Sequence, residues 1–419
     1  MTVNPVQPPV SVTEVHEVHE IPEAHEVSEN TTVVIVGAGV AGLTLGNLLL
    51  RSGIDCVILE RRSREYVEQR QRAGVVDNRG ARMFRKWGLE DRVIAGDPVK
   101  PVLNFRVDGE TRPLELTLDG NDDGRFCPQQ VLVRNLIDAF VADGGDLRFD
   151  AEVLSLRTVA DEGLPYARYR DGDGTTRVVG CEFIAGCDGD RGASRAAVPE
   201  GILTKYSHEY GYAWLTVLAE VPATHQSLMA LHPRGFAGQF ARGPHASRFY
   251  LQCPLDTDLS EWPDERIWEE LATRFDEPVA SQGPIVSTQL VPLRSVVYSP
   301  MSHGRLYLLG DAAHLVPPMS AKGMHLALHD AEVFANAVIH HRSNGQDTTL
   351  LDAYSSTCLR HVWDYQAFAA WWTELIHNAG DASYGGTFRH EIARADLTRL
   401  FDPGSTSNRW LSEFIGGLA

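Results

Sequence analysis

Thr32-Val-Val-Ile-Val36 runs directly into Gly37-Ala-Gly39-Val-Ala-Gly42 and an apolar stretch that ends at Leu50. Five β-prone residues closed by glycine read as a buried parallel strand. The three glycines then serve three needs: a tight turn, close backbone approach to a pyrophosphate, and helix packing on the strand. A second strand, Ile54-Asp-Cys-Val-Ile-Leu59, ends on Glu60. An acid about 20 residues beyond the glycines is placed to take a ribose hydroxyl. Strand, turn, helix, strand and acid together predict a Rossmann-type α/β unit that binds a dinucleotide. The fingerprint alone leaves FAD and NAD open.

Two later strands end in the same manner. Phe183-Ile-Ala-Gly-Cys187 delivers Asp188-Gly189, followed by Arg191, Ser194 and Arg195. Tyr307-Leu-Leu-Gly310 delivers Asp311; a Pro317-Pro318 turn and Gly323 follow, and an apolar-periodic helix begins at Met324. The second acid can hold a ribityl hydroxyl. The fresh helix start, Lys322-Gly323-Met324, directs its dipole at any negative charge developing on a ring system.

The order GxGxxG, Asp-Gly, Gly-Asp, at these distances, resembles the class A FAD-dependent aromatic hydroxylases, and within them the 4-hydroxybenzoate 3-monooxygenase family. Matching stretches include Val57-Ile-Leu-Glu-Arg61, Arg72-Ala-Gly-Val75, His232-Pro-Arg-Gly-Phe236, Ala312-Ala-His-Leu-Val-Pro-Pro318 and Cys358-Leu-Arg, so the likeness runs from about Thr31 to the last residues. It implies non-covalent FAD, reduction by a nicotinamide cofactor, capture of O2 as a flavin C4a-hydroperoxide, and a homodimer. It also implies α/β architecture: a Rossmann-type FAD-binding domain, a β-rich substrate domain and a helical C-terminal part. The expected divisions are an acidic tail at 1–30, the FAD domain with part of the substrate sheet at 31–205, the substrate domain at 206–296, and a FAD-contacting, dimer-forming region at 297–419.

Composition narrows the partners. The chain has 419 residues, 43% of them hydrophobic, enough for a large core and two domains. A net charge of −18 argues against nucleic acid or an anionic membrane. No apolar run is long enough to span a bilayer, and the N-terminus lacks a basic leader. Cys56, Cys127, Cys181, Cys187, Cys253 and Cys358 show neither CxxC nor disulfide-like spacing, which predicts reduced thiols in a cytoplasmic protein. No metal spacing is present outside the first 30 residues, where weak metal binding by His16, His19 and His25 is the alternative to a solvated tail. Glutamates at 14, 17, 20, 23, 26 and 29, with no Lys or Arg among the first 30 residues, predict a self-repelling disordered tail.

On the resemblance, Gly37, Gly39, Gly42 and Glu60 take the adenine end of FAD. Arg72 and Gln129 approach the phosphates and ribityl chain, and Asp188 and Asp311 complete the site. Lys322, Gly323 and Met324 face the pyrimidine ring, and Pro318 holds the flavin edge. His325 stands where the family has asparagine and is a candidate for altering flavin potential or proton balance. Arg61, Arg62, Tyr66 and Arg70, joined by Arg191 and Arg294, form a basic cluster suited to the 2′-phosphate of NADPH, with NADH the alternative. Arg242 matches the arginine that pairs with the substrate carboxylate; Arg248 and Tyr250 also match, Tyr250 as a stacking partner for a mobile flavin. The alternative for Arg242 is an internal salt bridge.

The departures from the family shape the substrate expectation. Met229 and Phe414 replace the tyrosine pair that deprotonates a phenol, Phe240 replaces a serine, and Lys100 stands near the position of the relay histidine. Met and Phe transfer no protons. The expected substrate is therefore an aromatic carboxylate activated by an amino or indole nitrogen, or a bulkier acid, in specialised metabolism. Oxidative cyclisation, epoxidation and decarboxylative hydroxylation would use the same residues; a flavin binder without turnover is the rival of another class. His314 is expected to be structural.

Overall fold

The computed structural model describes residues 29–69, 74–100, 102–107, 109–116, 123–158, 164–277, 282–377 and 384–417. Its first half runs β1 (Glu29–Val36), α1 (Val40–Arg51), β2 (Cys56–Leu59), α2 (Arg64–Gln69), α3 (Asn78–Lys86), α4 (Glu90–Val93), β3 (Val102–Val107), β4 (Glu110–Glu115), α5 (Gln129–Ala142), β5 (Asp146–Arg148), β6 (Glu152–Arg157), β7 (Tyr166–Arg170) and β8 (Thr176–Gly186). The second half continues with β9 (Thr204–Ala219), β10 (Ser227–Ala230), β11 (Ala237–Ala241), β12 (Ser247–Pro254), α6 (Asp264–Phe275), β13 (Ile285–Ser299), β14 (Ser302–His303), β15 (Leu306–Leu308) and β16 (His314–Leu315). Helices α7 (Gly323–Ser343), α8 (Thr349–Asp352), α9 (Tyr354–Ile376), α10 (Tyr384–Leu400) and α11 (Thr406–Gly416) close the chain.

The first sheet has the order β14-β15-β8-β1-β2-β5, parallel from β15 to β5, with β6 and β7 forming an antiparallel extension on the early half of β8. Val33, Val34 and Ile35 are wholly buried because α1 and α5 cover one face of this sheet and α7 contributes to the same core. Strand β1 begins at Glu29 and so takes in the last two residues assigned to the tail. Glu29 pairs in register with Val179, and its carboxylate is held by Arg148, with Nη2 donating to Oε2 at 2.9 Å. A partner supplied by β5 thus converts the last residues of the glutamate-rich run into strand; residues 1–28 lie outside the described residues.

The second sheet has the order β16-β13-β9-β12-β11-β10-β3-β4. It draws β3 and β4 from within the first domain's sequence and reaches past residue 296 to Ser299 and Leu315. Alternation gives it two different faces. Ala213, Leu215, Val217, Leu228, Ala237, Phe249 and Leu251 pack against Ile267, Trp268, Leu271 and Phe275 of α6. Trp214, Met229, Phe236 and Tyr250 point the other way, into the core shared with the first sheet and α9. All six cysteines are buried and free. Among the described residues no helix is long and apolar enough to cross a membrane.

Candidate active site

The glycine turn is held so tightly that no side chain fits at two of its positions. A Cβ on Gly42 would lie 2.1 Å from the carbonyl oxygen of Gly37, and one on Gly37, at φ +104°, would lie 2.6 Å from the carbonyl of Cys187. Gly39 is different: its Cβ would meet nothing nearer than 4.0 Å, and it caps α1 with no side-chain hydrogen bond to the first turn. The space above Gly39 and the uncapped amides of α1 form a cradle for an anionic group. Glu60 closes its far side, accepting from the Ala38 amide at 2.8 Å and the Arg62 amide at 2.9 Å.

The other two strand ends meet the same cradle. Cys187, whose carbonyl abuts Gly37, precedes Asp188. Asp188 accepts the Ser194 amide at 2.8 Å and its hydroxyl at 2.9 Å through Oδ2, while Oδ1 is buried with no protein donor. Burial raises this carboxyl above the usual range, against the pull of the Ser194 bonds. Arg195 bridges from the Asp-Gly loop to the Gly-Asp turn, donating to the carbonyls of Gly189, Asp190 and Ala312. Asp311 sits in a 3-10 turn that opens on Gly310, φ +59°. The Gly310 amide donates to Asp330 at 2.9 Å, and His314 Nε2 pairs with the same carboxylate at 2.7 Å, both fully inside. His314 is structural, as expected.

After the Pro317–Pro318 turn the chain passes through Ala321, φ +53°, to the start of α7. Gly323 leaves open space there, its Cβ meeting only Val316 at 3.7 Å. Lys322 does not point into that space. Its ammonium is buried, 2.6 Å from Asp77 and 3.1 Å from the carbonyl of Ile415, so what this segment presents to the open space is backbone. His325 is likewise turned inward: the Asp77 amide donates to Nε2 at 3.0 Å, and Nδ1 donates to the Ala321 carbonyl at 3.2 Å. Both ring nitrogens are committed to backbone groups, so His325 positions the turn rather than carrying protons at the ring edge. Burial opposes the charge of Asp77, but His325 and Lys322 beside it hold its carboxyl well below the usual range. Met324 is partly buried beside them. Replacing Lys322 by Met strands a buried carboxylate, at a cost of about 3–5 kcal/mol. A large fall in the denaturation midpoint, substantially recovered in the Asp77→Asn/Lys322→Met pair, is the expected result.

The inner face of the second sheet carries the remaining candidates in two adjacent rows. Met229, Gly238, Tyr250 and Thr216 lie opposite one another across four strands, as do Phe240 and Arg248 in the next row. Phe240 meets Tyr250 edge-on at 5.5 Å, and Trp214 lies 4.5 Å from Tyr250. Arg242, just beyond β11, donates to its neighbour's carbonyl at 3.0 Å. Burial lowers its pKa, partly offset by the Tyr250 hydroxyl, and no acidic side chain is among the groups acting on it. Arg248 Nε is buried with no acceptor. Among the described residues neither arginine is ion-paired, so the internal salt bridge is not found. Phe414 stacks on Phe368 at 4.9 Å and meets Tyr365 at 5.0 Å.

Elsewhere the candidates scatter. Arg61 and Arg62 are exposed, Arg62 over the Tyr66 ring at 5.1 Å, whereas Arg294 is taken by Asp190. Gln129 opens α5, its amide against Gly74. Arg70 and Arg72 lie outside the described residues. Lys100 is exposed, its amide bound to Gln226. Sequence reasoning missed Asp77, whose only local signal is its spacing to Gly80 as an N-cap, 3.0 Å. It also missed His377, which accepts from the Trp214 indole at 2.7 Å and carried no motif.

Four histidines, His325 and His377 buried and His329 and His361 partly buried, are kept neutral mainly by desolvation: His325 and His329 fall to about 4, His377 to about 3 and His361 to about 2. Because their folded pKa values lie below the unfolded value of about 6.5, their contribution is complete above that pH and is lost as pH falls towards 4. The loss is up to about 1.4 kcal/mol per pH unit for each. Thermal scans should show a steep drop in Tm between pH 6.5 and 4.5; a flat profile would contradict these burials.

A glycine cradle with an orphaned buried carboxylate oxygen, an acid closing its far side, an open helix start and a second sheet bearing aromatic and arginine side chains are the features of a flavoprotein. The residues fit FAD. The FAD binding domain family matches residues 30–369. The chain is 34% identical over 392 residues to the p-hydroxybenzoate hydroxylase of Acinetobacter baylyi, covering 90% of this chain and 93% of that one. It is 26% identical over 343 residues to a 3-(3-hydroxy-phenyl)propionate/3-hydroxycinnamic acid hydroxylase of Mycolicibacterium smegmatis, covering 79% of this chain and spanning 58% of the other. The solved p-nitrophenol 4-monooxygenase of Pseudomonas putida superposes with a TM-score of 0.78 at 19% identity, covering 93% of this chain and 98% of that one. The chain belongs to the FAD-dependent aromatic hydroxylases.

Proposed function

We propose that this enzyme uses NADPH and O2 to hydroxylate an aromatic carboxylate whose ring is activated by an amino or indole nitrogen or is larger than 4-hydroxybenzoate, in specialised metabolism. The observation that carries this reading is the pair Arg242 and Arg248. Two arginines beside an apolar sheet face, without a carboxylate of their own among the described residues, are costly unless the substrate brings the anion. Two relatives are named for aromatic acids, p-hydroxybenzoate and the phenylpropionate and cinnamic acids, which agrees with that chemistry.

Bound FAD supplies hydride acceptance and O2 activation. On this reading Gly37, Gly39 and Gly42 admit its pyrophosphate to the α1 amides, Glu60 takes the ribose, and Asp311 and Gln129 take the ribityl chain. Asp188 offers its unpartnered oxygen at the junction of the three loops. Gly323 and Met324 present backbone amides to the pyrimidine ring, while Lys322 and His325 hold that helix start through Asp77. Pro318 borders the flavin edge. Arg61 and Arg62, with Arg70, receive the 2′-phosphate of NADPH.

Arg242 orients the carboxylate, Arg248 supports it, and Tyr250 lies against the ring. Met229 and Phe240 line the apolar side and exclude water. Neither Met229 nor Phe414 can accept a phenolic proton, so the ring must already be electron-rich. Buried free thiols fit a cytoplasmic location, and a homodimer completes the proposal. The test compares an aromatic acid with its carboxamide as stimulators of NADPH oxidation. Stimulation by the acid alone is expected; equal stimulation by the amide would remove the carboxylate from the reading.

A further inference from the structure

Trp214 carries an indole N–H into the buried layer between the second sheet and α9, where a donor without an acceptor is a standing cost. His377, the residue that ends α9, meets it: the indole Nε1 donates to His377 Nε2 at 2.7 Å. The other ring nitrogen, Nδ1, donates to the Thr373 carbonyl one turn back, also at 2.7 Å. An indole only donates and a carbonyl only accepts, so both bonds demand the same tautomer, with the proton on Nδ1. Desolvation keeps the imidazole neutral, and among the described residues no acidic side chain acts on it. His377 is therefore a fixed, uncharged acceptor.

The plane of the imidazole is fixed as well. It stacks on Tyr212 at 5.1 Å with 13° between the rings, and lies 4.7 Å from Phe236 at 36°. Trp214 in turn stacks on Phe236 at 5.7 Å and meets Tyr250 at 4.5 Å with a tilt of 52°. In register Trp214 lies opposite Gln252, two residues along β12 from Tyr250, which puts indole and phenol on one face of the sheet. A bond made at the end of a helix thus reaches Tyr250 through a single intervening ring. Stacked rings tolerate a range of offsets, so packing alone leaves an indole some freedom to slide. The bond at Nε1 pins one edge of it.

We infer that His377 is a positioning residue for hydroxylation: its bond to Trp214 sets the tilt of Tyr250, and with it the lie of the substrate ring on the inner face of the second sheet. The inference rests on the reading of Tyr250 as the residue against that ring. It divides the work of the site in two. Arg242 holds the carboxylate, whereas His377, acting through Trp214, holds the angle at which the ring is presented.

Variants at this pair test it. His377→Phe keeps a stacking ring but removes the acceptor, and His377→Gln returns an acceptor near the place of Nε2. The paired variant His377→Phe/Trp214→Phe removes donor and acceptor together, so no buried N–H is stranded and the test survives if the single variant does not fold. The bond itself is read from the Trp214 indole N–H in heteronuclear NMR spectra, assigned by its loss in Trp214→Phe. That proton should move upfield in His377→Phe and hold its place in His377→Gln. Coupling is then read on FAD-loaded protein, as product formed per NADPH consumed, with 4-aminobenzoate, an indole carboxylate and the carboxamide of each. His377→Phe, or the paired variant, should lower kcat for product roughly tenfold or more with KM little changed, because a small misplacement of the ring is costly while Arg242 still holds the carboxylate. His377→Gln should recover most of it. A lower Tm with unchanged coupling in the folded variants would make His377 structural only and overturn the inference, as would an unmoved indole proton in His377→Phe. Wild-type coupling of the amides as well as the acids would instead remove the carboxylate from the functional reading, and the same comparison made on the amides would still decide His377.

Discussion

Arg242→Met is expected to lower kcat/KM for a carboxylated aromatic substrate roughly 100- to 1,000-fold, because truncating one partner of a buried, hydrogen-bonded charge pair costs several kcal/mol. The loss should appear mainly in KM, since the carboxylate is held alike before and during ring attack. Stability should move the other way. Among the described residues no acidic side chain acts on the guanidinium, and burial already lowers its pKa. Removing it relieves a desolvation cost, so Tm should hold or rise. Steady-state kinetics and a thermal scan on one preparation read both signs. A fall in Tm with unchanged KM would make Arg242 a structural residue.

Gly42→Ala is expected to yield protein without bound flavin. The added Cβ would sit 2.1 Å from the Gly37 carbonyl and 3.0 Å from Ile35. The first is backbone of the strand-to-helix turn and cannot give way; the second is the wholly buried Ile35 side chain of β1, which has no room to move. The turn must open, and the α1 amides then lose their aim. Gly39→Ala separates geometry from ligand, because its Cβ would meet only the Cys187 carbonyl, at 4.0 Å. It should leave the apoprotein's Tm unchanged and still weaken FAD, whose pyrophosphate needs that space. Flavin absorbance after gel filtration checks both; a yellow Gly42→Ala protein would mean that the cradle is not the binding element.

How far the chain could be read in advance depends on the range of the forces involved. The glycine cradle was legible because Gly37, Gly39 and Gly42 are demanded by backbone contacts within one turn. The two-faced sheet was legible in the alternation of Ala213 to Ala219 and Ser247 to Gln252. Arg242 came from resemblance, since nothing in its own neighbourhood separates a substrate anchor from a salt bridge; the missing acid is visible only in three dimensions. Asp77 meets Lys322 across 245 positions. The glutamate spacing misled at its end. It extended the tail through Glu29 and Asn30, where Arg148 recruits the chain into β1.

The central claim, an aromatic-acid hydroxylase without a phenol-deprotonating pair, is tested most directly by coupled turnover. FAD-loaded protein would be given NADPH, O2 and, in turn, 4-hydroxybenzoate, 4-aminobenzoate, an indole carboxylate and a bulky polycyclic acid, with product scored by mass. The account predicts a one-oxygen product from an amino, indole or bulky acid and little from 4-hydroxybenzoate. Fast, fully coupled hydroxylation of 4-hydroxybenzoate would contradict it, because Met229 and Phe414 would then stand in a site that deprotonates phenols by another route.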